Sequence, residues 1–136
     1  MILGYKIYEH TLESIDFDKN KIINTINPHS YCLSRYDKLF NEALQSSDIL
    51  VPDGTGIVLA SKIVNNKKIN KIAGADIHQY LLQQANLKSQ KVFYLGASQS
   101  TLLLIEDKVK KEYPNITVSS FSPHYKPQFS ESETAL

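Results

Sequence analysis

The sequence predicts an α/β protein with a Rossmann-like, mostly parallel sheet and helices on both faces. Short apolar runs rich in β-branched residues alternate with longer segments of helical periodicity, and proline, glycine or polar residues stop each run. This alternation implies right-handed crossovers, which make neighbouring strands parallel and cover both faces of the sheet. With 136 residues, 42% of them hydrophobic, the chain is expected to form a single domain over residues 1–136.

The elements begin with the segment MILGYKIYEH, where alternating Leu3, Tyr5 and Ile7 predict a strand. The helix predicted over residues 56–64 is apolar nearly all round, so we expect it to be buried. The helix predicted over residues 99–113 has Ser98 or Ser100 as its N-cap. Further strands are predicted over residues 21–27, 48–53, 91–98 (ending at Gly96) and 116–121, and further helices over residues 36–47 and 75–85.

Composition excludes several classes of function. The net charge is only +1, and Arg35 is the sole arginine, so the charge balance predicts no nucleic-acid partner. The single cysteine, Cys32, is expected to be a small buried core residue, and its solitude fits a reducing, cytoplasmic compartment. No apolar run approaches the roughly 18 residues of a membrane span. The four histidines lack metal-ligand spacing.

Polar and small residues follow each strand of the predicted sheet. Because the carboxyl ends of parallel strands share one edge, where ligands bind in open α/β sheets, we expect a binding site there. Its candidates are Thr25 and Asn27 after the first of these strands, Asp53 after the second, Gly96 and Ser98 after the third, and Ser122–Tyr125 after the fourth.

Each of these signals has a structural alternative. Asp53 is either a cap for the following helix or a carboxylate that acts as a general base. Gly54 and Gly56 keep the turn free of side chains, so a ligand could approach the backbone. In TINPHS, residues 25–30, the polar side chains could serve only a turn and a helix cap. LGASQS, residues 95–100, is similar to a phosphate cradle but lacks the dinucleotide-binding glycine pattern.

The triplet DFD, residues 16–18, matches the paired acids that many sugar-nucleotide enzymes use to hold a divalent metal. It precedes the first α/β strand, so we expect it to lie away from the carboxyl edge. The sequence therefore predicts no metal and no cofactor.

Six segments together resemble the WecG/TagA/CpsF family of bacterial glycosyltransferases. The order and spacing of Thr-x-Asn-Pro, Asp-Gly-x-Gly and Ala-Gly-x-Asp carry the resemblance. The segments are INTINPHSY (23–31), DKLFNEALQSSDILVPDGTGIVLASKI (37–63), IAGADIHQYLL (72–82), KVFYLGAS (91–98), EYPNITV (112–118) and SPHYKP (122–127).

The resemblance implies an inverting, metal-independent enzyme that moves an N-acetylmannosamine-type sugar from a UDP donor. The acceptor it implies is N-acetylglucosamine on undecaprenyl diphosphate, at the inner face of the membrane, in the synthesis of cell-surface polysaccharide or teichoic acid. Asp53 matches the family's proposed catalytic base, and Thr25 and Asn27 match its active-site pair. Lys71 stands where many members have arginine, which keeps the charge but loses the planar fork. With Gly54, Gly96 and Ser98, these residues form the expected substrate site.

Members of that family continue beyond the point where this chain ends, at FSESETAL. Ser130 and Glu133 form a capping-box pattern there, so we expect a helix to begin and the domain to be incomplete at its C-terminal end. Two alternatives to an active transferase stay open at this point. One is a non-catalytic fragment that at most binds UDP or UDP-sugar, and the other is an unrelated nucleotide-binding domain. The oligomeric state, homo-oligomer or monomer, is also open.

Overall fold

The protein is described from a computed structural model that covers residues 1–17 and 20–124. The chain divides into two compact units, Met1–Gln79 and Tyr80–Leu136. Each described unit is built from helices and a pair of parallel strands, which confirms the predicted α/β class. A single domain over the whole chain stays a prediction. The roles suggested above for Asp18, Tyr125, Ser130 and Glu133 lie outside the described residues.

The first unit contains strands β1 and β2 with their helices. β1 pairs with β2 in parallel, so that Thr25 lies opposite Val51 and Ile26 opposite Pro52. A short 3-10 helix, Leu12–Ser14, precedes them. The elements are β1 (Ile23–Ile26), α1 (Pro28–Ser34), α2 (Lys38–Gln45), β2 (Ile49–Pro52), α3 (Thr55–Asn65) and α4 (Gly74–Leu87), and α4 continues into the second unit.

β2 is buried along its whole length because apolar side chains cover both of its faces. Leu50 packs in one cluster with Ile26 and Ile57. Its neighbours in sequence, Ile49 and Val51, pack in a second cluster that includes Ile72 and Ile77. Successive side chains of a strand point to opposite faces, so a strand between two clusters needs the continuous apolar run that β2 has.

The prediction of an amino-terminal strand is wrong. Leu3 and Gly4 have φ angles of 53° and 85°, and Ile2 and Tyr5 exchange backbone hydrogen bonds of 2.8 and 2.9 Å across this turn. Only an isolated bridge joins Ile7 to β2, at Leu50. The alternation of apolar residues reflects burial of Ile2, Tyr5 and Ile7 beside β2 rather than a regular strand.

Three other details of the first unit differ from expectation. Residues 28–34 form a helix, α1, where the sequence indicated only a turn, and Cys32 on that helix is exposed rather than buried. The expectation that α3 is buried is also wrong. It buries Ile57 and Ser61, whereas Leu59 and Ile63 are 57% and 71% exposed.

The second unit contains β3 (Lys91–Leu95), α5 (Gln99–Glu112) and β4 (Thr117–Phe121). β3 and β4 pair in parallel, from Lys91 opposite Thr117 to Leu95 opposite Phe121. One face of this pair packs in a cluster built around Leu82, Ala85, Val109 and Ile116. Side chains on the other face are exposed, among them Phe93, Leu95 and Phe121.

Candidate active site

The ends of β1 and β2 bring two predicted site residues to one edge of the first unit. The Asp53 N–H donates to the Ile26 carbonyl oxygen at 2.8 Å, which continues the ladder one step past the paired strands. Asn27 follows Ile26 directly, so Asn27 and Asp53 leave neighbouring strand ends. The predicted carboxyl-end location of Thr25, Asn27 and Asp53 is therefore found within this unit.

The Asp53 carboxylate does not cap the next helix. The N-cap of α3 is Gly54, which has no side chain and makes no capping bond. Asp37, by contrast, caps α2 by accepting a hydrogen bond from the Phe40 N–H at 2.9 Å. Within residues 1–17 and 20–124, no hydrogen bond or ion pair is made by the half-buried Asp53 side chain. The capping interpretation is wrong, and the carboxylate is available to a ligand.

The two glycines after Asp53 have different structural reasons. Gly54 has a φ angle of +86°, which L side chains rarely adopt, so it lets the chain turn sharply from β2 into α3. A Cβ atom on Gly56 would lie only 2.5 Å from Cγ of Pro28. The space beside Gly56 is thus filled by the start of α1 rather than open to a ligand, and this glycine permits the first turn of α3 to contact Pro28.

Asn27 holds the first turn of α1 through a reciprocal capping box. Its Oδ1 atom accepts from the Ser30 N–H at 2.9 Å, and its own N–H donates to Ser30 Oγ at 2.8 Å. Pro28 occupies the first helical position, where its missing N–H costs nothing. The Asn27 Nδ2 amine has no partner among the described residues. Asn-Pro-x-Ser was the available signal for this helix.

The Ala-Gly-x-Asp motif returns the chain to the same edge. The Ile72 N–H donates to the Pro52 carbonyl oxygen at 3.0 Å, which brings the exposed Lys71 beside the end of β2. The Asp76 carboxylate accepts from the Ala73 N–H at 3.1 Å and so holds the start of α4. A Cβ atom on Gly74 would lie 3.8 Å from Cγ2 of Thr25. Thr25 therefore lies against the amino end of α4.

The second unit carries Gly96 and Ser98 after β3. Gly96 has a φ angle of +108°, and its N–H donates to the Phe121 carbonyl oxygen at 3.1 Å. Ser98 is the N-cap of α5, since its Oγ atom accepts from the Thr101 N–H at 3.2 Å. This decides between Ser98 and Ser100 as the cap. A role for Gly96 and Ser98 in binding a phosphate group stays a prediction.

A cavity of about 490 Å³ lies at the opposite end of β2 from Asp53. Its lining includes Lys6, Tyr8, Asp16 and Asp48 and none of the predicted site residues. Asp16 belongs to the DFD triplet, so the described part of that triplet lies away from the carboxyl edge, as expected. In the described ranges, no three His, Cys, Asp or Glu side chains are grouped closely enough to hold a metal ion.

No helix in the described part of the chain has the length and apolar character needed to cross a bilayer. The arrangement at the strand ends is that of an α/β enzyme with a carboxylate at its cleft edge. A model of the Glycosyl transferase WecG/TagA/CpsF family matches residues 5–136, and the chain belongs to this family.

Proteins named N-acetylglucosaminyldiphosphoundecaprenol N-acetyl-beta-D-mannosaminyltransferase are among its relatives. The one from Bacillus subtilis (strain 168) is 34% identical over 111 residues, which cover 82% of this chain and 43% of the relative. The one from Bacillus spizizenii is 32% identical, with 84% and 45% covered. The one from Staphylococcus aureus (strain NCTC 8325) is 30% identical, with 78% and 41% covered. The chain thus spans less than half the length of these relatives.

Proposed function

We propose that this protein takes part in transfer of an N-acetylmannosamine-type sugar from a UDP donor to N-acetylglucosamine on undecaprenyl diphosphate. The names of its relatives support the sugar and the acceptor. The observation that carries the proposal is the Asp53 carboxylate, which lies at the end of β2 and is not used by the helix that follows it. A side chain at this edge with no structural task is available for catalysis.

In the proposed reaction Asp53 is the general base. Its carboxylate takes the proton from the acceptor hydroxyl while the hydroxyl oxygen forms a bond to the anomeric carbon of the donor. The bond from that carbon to the UDP oxygen breaks on the opposite side, so the configuration inverts and UDP leaves with the electron pair. Proton removal and attack occur together, which requires the acceptor to be held in line with the donor.

The other site residues bind and orient the substrates. Asn27 offers its Nδ2 amine as a hydrogen-bond donor, and Thr25 fixes the wall beside α4. Lys71 supplies a positive charge for the diphosphate, without the bidentate geometry of arginine. Gly96 and Ser98, at the amino end of the fourteen-residue helix α5, offer backbone N–H groups to the donor phosphates. These charges and dipoles stabilise the departing UDP without a metal ion.

The second candidate is a non-catalytic chain that binds UDP or UDP-sugar only. The share of the relatives that the chain covers, 43% for the Bacillus subtilis protein, favours considering it. It has the same residues at the strand ends as the first candidate, so turnover has to be measured directly.

The test is to incubate the purified protein with UDP-N-acetylmannosamine and a short-chain lipid diphosphate carrying N-acetylglucosamine. The expected product is the disaccharide lipid, identified by mass and by the inverted anomeric configuration. Transfer is expected to persist in excess EDTA, and loss that manganese or magnesium restores would contradict the metal-free mechanism. Calorimetry with UDP separates the two candidates: binding without transfer supports the second, and neither binding nor transfer overturns both.

A chimera that continues this chain with the C-terminal part of the Bacillus subtilis relative is the matched positive control. If it transfers sugar and the 136-residue chain does not, the catalytic groups are competent and the missing activity lies in what the chimera adds. If the chimera is also inactive, the assignment of this edge as a transferase site is wrong.

A further inference from the structure

Helix α3 has an apolar side that the first unit leaves uncovered. Ile57 and Ser61, one turn apart, are buried at 2% and 0% exposure. Leu59 and Ile63, also one turn apart, are 57% and 71% exposed. Positions two residues from a buried pair lie about 200° around the helix, so Leu59 and Ile63 are on the side opposite the core. A surface helix normally carries polar residues there.

Lysines surround this apolar side. Residues 57–71, IVLASKIVNNKKINK, contain four lysines and no acidic residue. Lys62 lies next to Ile63 on α3 and is exposed, and Lys68 is exposed in the segment that follows. Only Lys67 is compensated among the described residues, by an ion pair of 2.8 Å with Glu9. The surface therefore combines exposed leucine and isoleucine with uncompensated positive charge.

We propose that the outer face of α3, formed by Leu59, Ile63, Lys62 and Lys68, binds the surface of an anionic lipid membrane. Apolar side chains with a lysine border are the pattern of helices that lie in the interface of a bilayer, where the apolar groups enter the acyl boundary and the lysines contact lipid phosphates. Charge favours this occupant over a second copy of the chain, since a two-fold contact through this face would bring the same lysines against each other.

This orientation has a consequence for the edge that carries Asp53. α3 has eleven residues and begins directly after Gly54. A helix of that length spans about 16 Å, so a helix lying along the membrane keeps Asp53 within about 16 Å of the interface. A lipid-linked acceptor would reach this edge without leaving the bilayer. The binding itself does not depend on the proposed transfer, because it is measured without donor or acceptor.

The test is co-sedimentation of the protein with vesicles of phosphatidylglycerol and phosphatidylcholine, compared with vesicles of phosphatidylcholine alone, at about 0.1 M salt. We expect binding to the anionic vesicles and little to the neutral ones. Leu59→Gln with Ile63→Gln should abolish it. Lys62→Gln with Lys68→Gln should weaken it about 25-fold, because each interfacial lysine contributes about fivefold.

Both pairs have matched controls in the second unit. Leu103→Gln with Leu104→Gln removes two leucines that are 54% and 72% exposed on α5. Lys91→Gln with Lys111→Gln removes the same charge as the lysine pair from exposed positions. Both controls should bind within about twofold of the unchanged protein, since they lack the combination of apolar side chains and lysines.

Circular dichroism of every variant verifies that it is folded before binding is compared. The proposal is overturned if the folded protein does not bind anionic vesicles, or if the controls lose as much binding as the α3 variants. It is also overturned if Leu59→Gln with Ile63→Gln abolishes self-association in sedimentation while vesicle binding persists, because the face would then contact a second copy. None of these results bears on the sugar-transfer assay, so the two proposals fail separately.

Discussion

The two units of the chain make the same local structure and use it differently. In each unit a parallel strand is followed by a glycine with positive φ, Gly54 at 86° and Gly96 at 108°, and then by a helix. In the second unit the Ser98 hydroxyl caps the helix. In the first unit the cap position is Gly54, and the Asp53 carboxylate beside it makes no bond to the helix. A polar side chain left out of the capping role at a strand end is therefore the better catalytic candidate.

Burial separates the units as well. Every residue of β2 is buried between two apolar clusters, whereas β3 and β4 alternate between half-buried and exposed residues. Asp53 thus follows a strand fixed from both faces, and Ser98 follows a strand fixed from one face. A base needs a fixed position relative to its substrate, and the buried strand supplies it.

The largest expected effect is on catalysis by Asp53→Asn. The substitution removes the base but keeps the size of the side chain, so transfer by the active protein or chimera should fall about 10²- to 10⁴-fold. The measurement is the rate of disaccharide-lipid formation under saturating donor. Turnover close to that of the unchanged protein would show that Asp53 is not the base.

The same comparison predicts that Asp53 contributes little to folding. Asp53→Ala should change the free energy of unfolding by less than about 0.5 kcal/mol, as for a side chain without structural partners. Asp37→Ala is the matched control, because Asp37 does cap its helix and its loss should cost about 1 kcal/mol. Equal losses in urea denaturation would mean that both carboxylates serve as caps.

The next effect is on packing at the entrance to α3. Gly56→Ala places a Cβ 2.5 Å from Pro28 Cγ, and the ring cannot swing away as a flexible side-chain end could. We expect a loss of about 1–3 kcal/mol in the free energy of unfolding. Gly74→Ala is the control, since its nearest neighbour would be Thr25 Cγ2 at 3.8 Å, an ordinary contact. A destabilisation no larger than that of the control would contradict the close approach of α1 and α3.

The sequence predicted the regular elements well where apolar periodicity was unambiguous, as in β2 and α5. It failed in the amino-terminal segment because burial of Ile2, Tyr5 and Ile7 in a turn produces the same alternation as a strand. It also failed for α3, where an apolar sequence does not reveal which side is covered. The role of Asp53 could not be decided from sequence, because a helix cap and a base use the same residue type and only the observed bond partners distinguish them.

A smaller effect is expected from the helix cap of the second unit. Ser98→Ala removes the acceptor for the Thr101 N–H and should lower the free energy of unfolding by about 1 kcal/mol. Ser100→Ala is the control, because the Ser100 hydroxyl contacts Ser98 Oγ at 3.0 Å but is not the cap, and its loss should stay within about 0.5 kcal/mol. If Ser98→Ala were the more tolerated of the two, Ser98 would be no better bound to its helix than Asp53, and the contrast between the units would disappear.

The smallest expected effect concerns Glu106, a carboxylate in the second unit that, unlike Asp53, is fully engaged. The Ser120 hydroxyl donates to it at 2.6 Å and Lys110 at 3.2 Å, and these bonds lower the pKa of Glu106 from its ordinary value of 4.5. A lowered pKa in the folded state means that the stabilisation is present above pH 4.5 and is lost as the pH falls through the folded-state value. Ser120→Ala removes the largest cause, so an NMR titration of the Glu106 carboxyl should show its pKa rising toward 4.5, and the acid side of the stability profile should flatten. Ser119→Ala, on the exposed face of the same strand, should leave both unchanged. A rise of equal size in the two variants would mean that Lys110, and not the Ser120 hydroxyl, sets the charge of this carboxylate.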